Sequence, residues 1–430
     1  MKVSISIGAY NRVDVVGMVD YIQQAEKLGV TYAWSAEAWG HDAVTSLGYL
    51  AAKTEKIILG TGIMQISART PSMTAMTALS LANLSNNRFI LGLGVSGPQV
   101  VEGLQGVSYK GPLSRLKENV EIIRMAFRGE KLAYEGKHFT LPLPGGEGKS
   151  LRLDHPPCDI PIFLATLGPK SLEYTGAIAD GWLGTSFSPD HPEAHISYLK
   201  KGAKSAGRSL ADMELHSSCN VAIGQNVQEM IDAHKPGVAF SMGAMGSEKT
   251  NFYNDAFKRA GYTDDALAIQ RLWKAGKRQA AIDRVPDAMV TEFSAIGTKD
   301  MVRKWKEEGS YVSGDPREQI VELSVEGKKQ VVDIGDLVQI ACEELVPHLV
   351  SAIKKIVAGA DPEYQPILRN NIILSGGGSL VDGIADRIAD ELADIGDVRV
   401  WCVDDPVARV ADGALKLAMQ MPDDQYTAIN

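Results

Sequence analysis

The chain has 430 residues, of which 45% are hydrophobic, 23% charged and 7% aromatic. That is enough for two or three domains, or for one barrel with a smaller companion, and it excludes a disordered, collagen-like or coiled-coil chain. The formal charge of -9 excludes an electrostatic affinity for nucleic acid or anionic lipid, and the acidic excess lies after Lys306 while the part before it is near neutral. Cys158, Cys219, Cys342 and Cys402 stand too far apart for a metal knuckle or a disulfide framework, so reduced thiols and no metal site are expected. The opening MKVSISIGAYNRVD reaches Asn11, Arg12 and Asp14 before any apolar leader develops, and no apolar run approaches about 18 residues, so a cytoplasmic protein is expected.

In chain order, Val3 to Ile7 alternates like a strand. Val15, Val19, Ile22, Ala25 and Leu28 then recur at helical spacing, and Gly29 offers a C-cap. The pattern repeats through a strand at Tyr32 to Trp34, a helix near Ala43 to Lys53, a strand at Ile57 to Leu59, a helix from Pro71 to Leu84, a strand at Phe89 to Leu93 and a helix from Leu113 to Phe127. A hairpin and Gly/Pro loop interrupt it at Gly129 to Pro157. It resumes with strand Ile162 to Ala165, helix Pro169 to Ala179 and strand Trp182 to Thr185. Such βα repeats require a parallel sheet, closed or open, and the closed barrel is favoured. Gly237 to Tyr262 reads as a lid or insertion, and Thr298 can cap a further helix. From Lys306 the pattern changes: a hairpin of Ile320 to Val325 and Gln330 to Ile334 turning at GKK, a long helix near Val338 to Val357, strand Asn371 to Leu374, a glycine run, a helix from Leu380 to Ile395, strand Val398 to Val403 and a helix near Ala408 to Met419.

Gly92-Leu93-Gly94-Val95-Ser96-Gly97 has the G-x-G-x-x-G spacing after a strand. A Rossmann turn, an anion-binding barrel loop and a ligand-free turn remain open for it, and in the second case Ser96, Gly97 and the helix start at Pro98 present backbone N–H groups to an anion. Residues 34 to 41, Trp-Ser-Ala-Glu-Ala-Trp-Gly-His, gather Glu37 and His41 as proton-transfer candidates and Trp39 as a stacking wall. A solvated loop is the plain alternative. Gly60-Thr61-Gly62-Ile63 carries glycines where backbone approaches a flat ligand, or is only a turn.

The run SAEAWGHDAVTSLGYLAAKTEKIILGTGIMQISARTPSMTAMTALSLANLSNNRFILGLGVSGPQVVEG, with ATLGPKSLEYTGAIADGWLGT later, resembles the luciferase-like monooxygenase superfamily and within it the coenzyme F-420-dependent oxidoreductases. The resemblance covers about residues 1–304 and implies a (β/α)8 barrel of the TIM type. It implies a deazaflavin, coenzyme F-420, or alternatively FMN, at the C-terminal mouth, buttressed by a non-prolyl cis peptide at Gly62-Ile63. It further implies a phosphate tail at Ser96, Gly97, Gly168 and Lys170, with Thr166 and Thr185 lining the ring, and hydride transfer to or from a small organic substrate. Pro98, and Ala36-Glu37 in place of an Asp-His pair, depart from that pattern at the proton donor.

LSGGGSLVDGIADRIADEL resembles the adenosine motif of actin-like ATPases, and KEEGSYV their Lys-Glu segment. With DPEYQPILRNNIILSGGGS, CVDDP and GALKLA, residues 305–430 resemble the C-terminal third of the actin-like magnetosome filament proteins of the MamK type. That implies a vestigial nucleoside platform at Lys306, Glu307, Gly376 and Gly377, and MamK-type filaments, hence a magnetosome, as partner and location. No DxGT-type phosphate loop occurs after Lys306, so no ATP hydrolysis is expected. The barrel's last strand is expected to be absent at the junction, leaving open edges.

Overall fold

The computed structural model describes residues 2–7, 17–247, 250–300, 310–312, 317, 320–325, 328–333, 335–375 and 377–403. The chain divides into two compact units, Met1–Ala222 with Gln228–Ile296, and Ile223–Val227 with Gly297–Asn430.

Up to residue 298 the strands are β1 (Ser4–Ser6), β2 (Tyr32–Ser35), β3 (Ile58–Thr61), β4 (Met64–Gln65), β5 (Phe89–Gly94), β6 (Tyr134–Glu135), β7 (Thr140–Leu141), β8 (Ile162–Ala165), β9 (Gly181–Gly184), β10 (Glu214–Ser217), β11 (Asn220–Gly224) and β12 (Ser294–Thr298). The main sheet runs β1-β2-β3-β5-β8-β9-β10, with β4 added to β5. Every neighbouring pair in it is parallel, because helices return the chain between strands. Local chemistry starts those helices. Asp42 accepts from the Thr45 N–H, and Thr70 accepts from the Met73 N–H ahead of Pro71, each cap contributing about 1 kcal/mol.

Alternation along the strands separates two cores. Ala33, Leu59, Leu91, Leu93, Ile162 and Leu164 belong to the cluster packed with helix residues such as Ile22, Leu47 and Ile122. Their neighbours Tyr32, Trp34, Ile90 and Phe163 form the inner cluster. Glycine makes room for those rings: a Cβ on Gly60 would stand 2.1 Å from the Trp34 ring, and one on Gly181 would stand 2.5 Å from the Phe163 ring.

Among the described residues β1 pairs only with β2 and β10 only with β9, and no described strand joins the two ends of the sheet. The ends nevertheless meet through side chains, since Lys2 Nζ lies 2.6 Å from Glu214 Oε1. The Gly237 to Tyr262 stretch, read from the sequence as a lid or insertion, is largely helical, carried by helices Val227–Gly243 and Phe252–Arg259 and followed by Thr263–Lys274.

In the second unit, β13 (Ile320–Val325) and β14 (Lys328–Asp333) form the expected antiparallel hairpin. β14 starts at Lys328, so Lys328 and Lys329 belong to the strand and not to the turn. The expected long helix is two, Gly335–Glu343 and Val346–Ala358, the second opening with Pro347 in its first turn, a residue that cannot continue a preceding helix. β15 (Ile372–Leu374) pairs in parallel with β16 (Val400–Cys402), and helix Ile384–Glu391 lies between them in sequence. Val346, Val350, Ile384, Ile388 and Leu392 make the core of this unit with Val312. The helix expected near Ala408 to Met419 lies outside the described residues.

Candidate functional site

A parallel sheet sends the C-terminal ends of all its strands to one side, and the loops that leave them therefore share a mouth. Glu37, Trp39 and His41 follow β2, Gly62 and Ile63 follow β3, Ser96 and Gly97 follow β5, Thr166, Gly168 and Lys170 follow β8, and Thr185 follows β9. The Gly62-Ile63 peptide bond is cis.

Glu37 is held on several sides. Its carboxylate pairs with Arg69 Nη1 at 2.7 Å, and its side chain is 9% exposed. The Gln65 N–H donates to Glu37 Oε2 at 3.2 Å, and the Glu37 N–H donates to the Ile63 carbonyl at 2.9 Å. Gln65 is buried, and its amide nitrogen donates to the Glu37 and Ala38 carbonyls at 2.9 and 3.1 Å while its Oε1 accepts from Gln105 Nε2. One amide thus joins the loops after β2 and β5 beneath the β3 terminus. His41 is exposed at the outer end of the same loop, and Trp39 is 46% exposed with its ring 6.4 Å from that of Phe240.

The G-x-G-x-x-G run is resolved by packing. A Cβ on Gly92 would stand 1.8 Å from the Thr61 carbonyl oxygen, and one on Gly94 would stand 2.6 Å from the Ile63 side chain, so these two glycines serve close strand approach and not a Rossmann turn. Gly97 is different: a Cβ there would meet only Gln99 Oε1 at 3.6 Å. It begins helix Pro98–Val101 with no side-chain cap, and Gly168 begins helix Pro169–Ile178 in the same way. Ser96 takes a left-handed φ of 65°, and its carbonyl accepts from the Tyr109 hydroxyl at 3.2 Å; burial pushes that phenol's pKa up. Lys170 and Thr185 are exposed, whereas Thr166 is buried with its hydroxyl 2.7 Å from that of Thr175.

Sequence reading missed Gln65, Arg69, Gln99 and Arg259. Arg259 Nη2 donates to the Leu167 carbonyl at 2.6 Å, beside Gly168, and burial pulls its pKa below the usual arginine value. A polar residue directly after the apolar pair Ile63-Met64 was the one visible signal for Gln65; the others act over long sequence separations and left none. In the second unit Gly377 opens the turn Gly377–Leu380, while Lys306, Glu307 and Gly376 lie outside the described residues.

Residues 4–314 match the model of the luciferase-like monooxygenase family. The chain belongs to that family. Residues 295–425 also match the MreB/Mbl protein model, so the luciferase-like chain carries an actin-like segment and the two matches overlap. It is similar to a Mycobacterium tuberculosis protein named as a coenzyme F-420-dependent oxidoreductase, with 38% identity over 313 residues, 71% of this chain and 90% of the relative. It is similar as well to the 5,10-methylenetetrahydromethanopterin reductase of Archaeoglobus fulgidus, at 28% identity over 76% of this chain and 94% of that one. Among solved structures, the coenzyme F-420-dependent tetrahydromethanopterin reductase of Methanopyrus kandleri aligns at a TM-score of 0.57 and 26% identity, covering 72% of this chain and 89% of the other. The luciferase-like chain is accordingly an enzyme of the oxidoreductase kind. No described helix is long and apolar enough to cross a membrane.

Proposed function

We propose that the chain binds coenzyme F-420 at the mouth of its barrel and transfers hydride between that coenzyme and a small organic substrate. The observation that carries this reading is the pair of uncapped glycine-led helix starts at Gly97 and Gly168, set at the same end of one parallel sheet, with only Gln99 Oε1 in contact with the place a Cβ on Gly97 would take. The amides there, with Ser96 and Lys170, suit a phosphate tail; Gly62, Ile63 and Thr185 suit the flat ring. Thr166, whose hydroxyl is shared with Thr175, serves the wall of the site through its loop. When bound, the deazaflavin supplies a two-electron hydride carrier. The relatives named for F-420 support it over FMN.

Of the two proton-transfer candidates, we assign the proton to the exposed His41. Glu37, paired with Arg69, keeps the loop after β2 in register with Ile63 and Gln65. Titration of the full chain with F-420 and with FMN, followed by cofactor fluorescence, tests the reading. Saturable F-420 binding is expected, and tight FMN binding without F-420 affinity would overturn it. The MreB/Mbl match favours a second role, docking onto actin-like filaments of the MamK type through the segment after residue 304, with magnetosome association as its consequence. Cosedimentation with such filaments tests that role.

A further inference from the structure

Two contacts tie one stretch of the insertion to the mouth of the barrel. The Phe240 ring stands 6.4 Å from Trp39, in the loop after β2. Further along, the Gly246 carbonyl accepts from Gln99 Nε2 at 2.6 Å, in the loop after β5. Because β3 lies between β2 and β5, a segment fastened to both loops passes over the end of β3, where Gly62 and Ile63 sit.

This crossing segment is a built element. Asn251 Nδ2 donates to the Ser241 and Met242 carbonyls at 3.0 and 2.9 Å, and Asn254 Nδ2 donates to the Met242 and Ala266 carbonyls at 3.3 and 2.9 Å. Both asparagines are buried, so their hydrogen bonds are shielded from water. A Cβ on Gly243 would stand 2.1 Å from the Trp273 ring, and Gly246 holds a φ of 145°, so close packing and a left-handed bend set its path.

Its chemistry is apolar. From Pro236 to Ser247 the sequence carries no charged residue. Trp39 and Phe240 remain 46% and 36% exposed although they touch each other, which leaves aromatic surface at the rim for a ligand to cover. Glu37, in the loop after β2, pairs with Arg69. A charged group held against Pro236–Ser247 would shed water and gain no counter-ion from that stretch, a substantial penalty.

We propose that Phe240–Gly246 is the substrate-facing roof of the site and selects a substrate whose reacting end is uncharged and apolar, packed against the exposed surface of Trp39 and Phe240. The position of the hydride carrier beneath the roof rests on the F-420 reading; the apolar grip does not.

The test titrates aliphatic amides from acetamide to hexanamide into the full chain, with and without F-420, beside hexanoate and hexyl phosphate. Affinity is expected to rise about fourfold per added methylene. Each anion is expected to bind at least about tenfold more weakly than hexanamide. Phe240→Ala should flatten the rise and Phe240→Leu should keep most of it, with thermal unfolding of both variants close to that of the parent. A flat amide series, anions that bind as well as hexanamide, or an unchanged slope in Phe240→Ala would each overturn the roof. An intact amide series without F-420 binding overturns the F-420 reading and leaves the roof standing.

Discussion

The Tyr32 hydroxyl donates a 2.6 Å hydrogen bond to Glu214 Oε2, reaching from the second strand of the curled sheet to its last. Lys2 Nζ donates to the same carboxylate at 2.6 Å and to the Tyr32 oxygen at 3.0 Å, and His216 Nε2 lies 3.2 Å from Glu214. This clasp links the two ends of the sheet, which no described strand joins. Burial acts to raise the Glu214 pKa, but the hydrogen bonds from Lys2, Tyr32 and His216 prevail and bring it from 4.5 down to about 2. A folded-state pKa below the unfolded value means that this stability is fully present above pH 4.5 and is lost as pH falls through about 2. With the carboxylate 40% exposed, Glu214→Gln should cost about 1 kcal/mol at pH 7. Urea midpoints across the acid range check it: the parent should lose its advantage over the variant between those two pKa values, and parallel curves would refute the clasp.

Gly92 and Gly97, the first and last glycines of one motif, should respond in opposite ways. Gly92→Ala drives a methyl into the Thr61 carbonyl and should lower stability by about 3 kcal/mol, read as a fall in thermal midpoint. Gly97→Ala brings its methyl only into ordinary contact with Gln99 Oε1, at 3.6 Å, with an ordinary φ of -102°, and should stay within about 0.5 kcal/mol of the parent.

Gly97→Trp adds a large ring at a position where the new Cβ meets only Gln99 Oε1, and the ring fills the place proposed for the phosphate tail. Its unfolding should resemble that of Gly97→Ala, while F-420 affinity falls at least about tenfold. Unchanged F-420 affinity in a folded Gly97→Trp would remove Gly97 from the binding site.

Glu37 and Arg69 should behave as one unit. Breaking a largely buried pair strands the remaining charge, so Arg69→Met should destabilise more than Glu37→Gln with Arg69→Met combined, giving a coupling of about 1–3 kcal/mol in a double-mutant cycle. His41→Asn, by contrast, should leave stability unchanged and reduce turnover. Turnover abolished by Glu37→Gln in a folded protein and untouched by His41→Asn would reverse the two assignments.

Purified chain incubated with ATP and magnesium should release no phosphate above background, since the segment after Lys306 has no DxGT-type phosphate loop. Release that disappears in Gly377→Trp would contradict this.

The sequence by itself determined what depends on local pattern. Strand alternation and helical spacing named the parallel βα order, Pro71 with Thr70 marked a helix start, and the short reach between Ile320 and Asp333 favoured their hairpin. What tertiary structure decided were the distances between residues far apart in the chain. Nothing near Glu37 announces Arg69 as its partner, and nothing in Gly-x-Gly-x-x-Gly tells that Gly92 meets the Thr61 carbonyl while Gly97 meets only the end of the Gln99 side chain. Ser310 to Val312 shows the limit most plainly, because it lies in a stretch that fits both the barrel family and the actin-like one. Its backbone bonds to Asp382, with Val312 N–H donating to the Asp382 carbonyl at 3.0 Å and Asp382 N–H to the Ser310 carbonyl at 3.1 Å, assign it to the second unit. A strand-forming tripeptide takes whichever edge the folded chain brings within hydrogen-bond reach, and that reach exists only after the chain has folded.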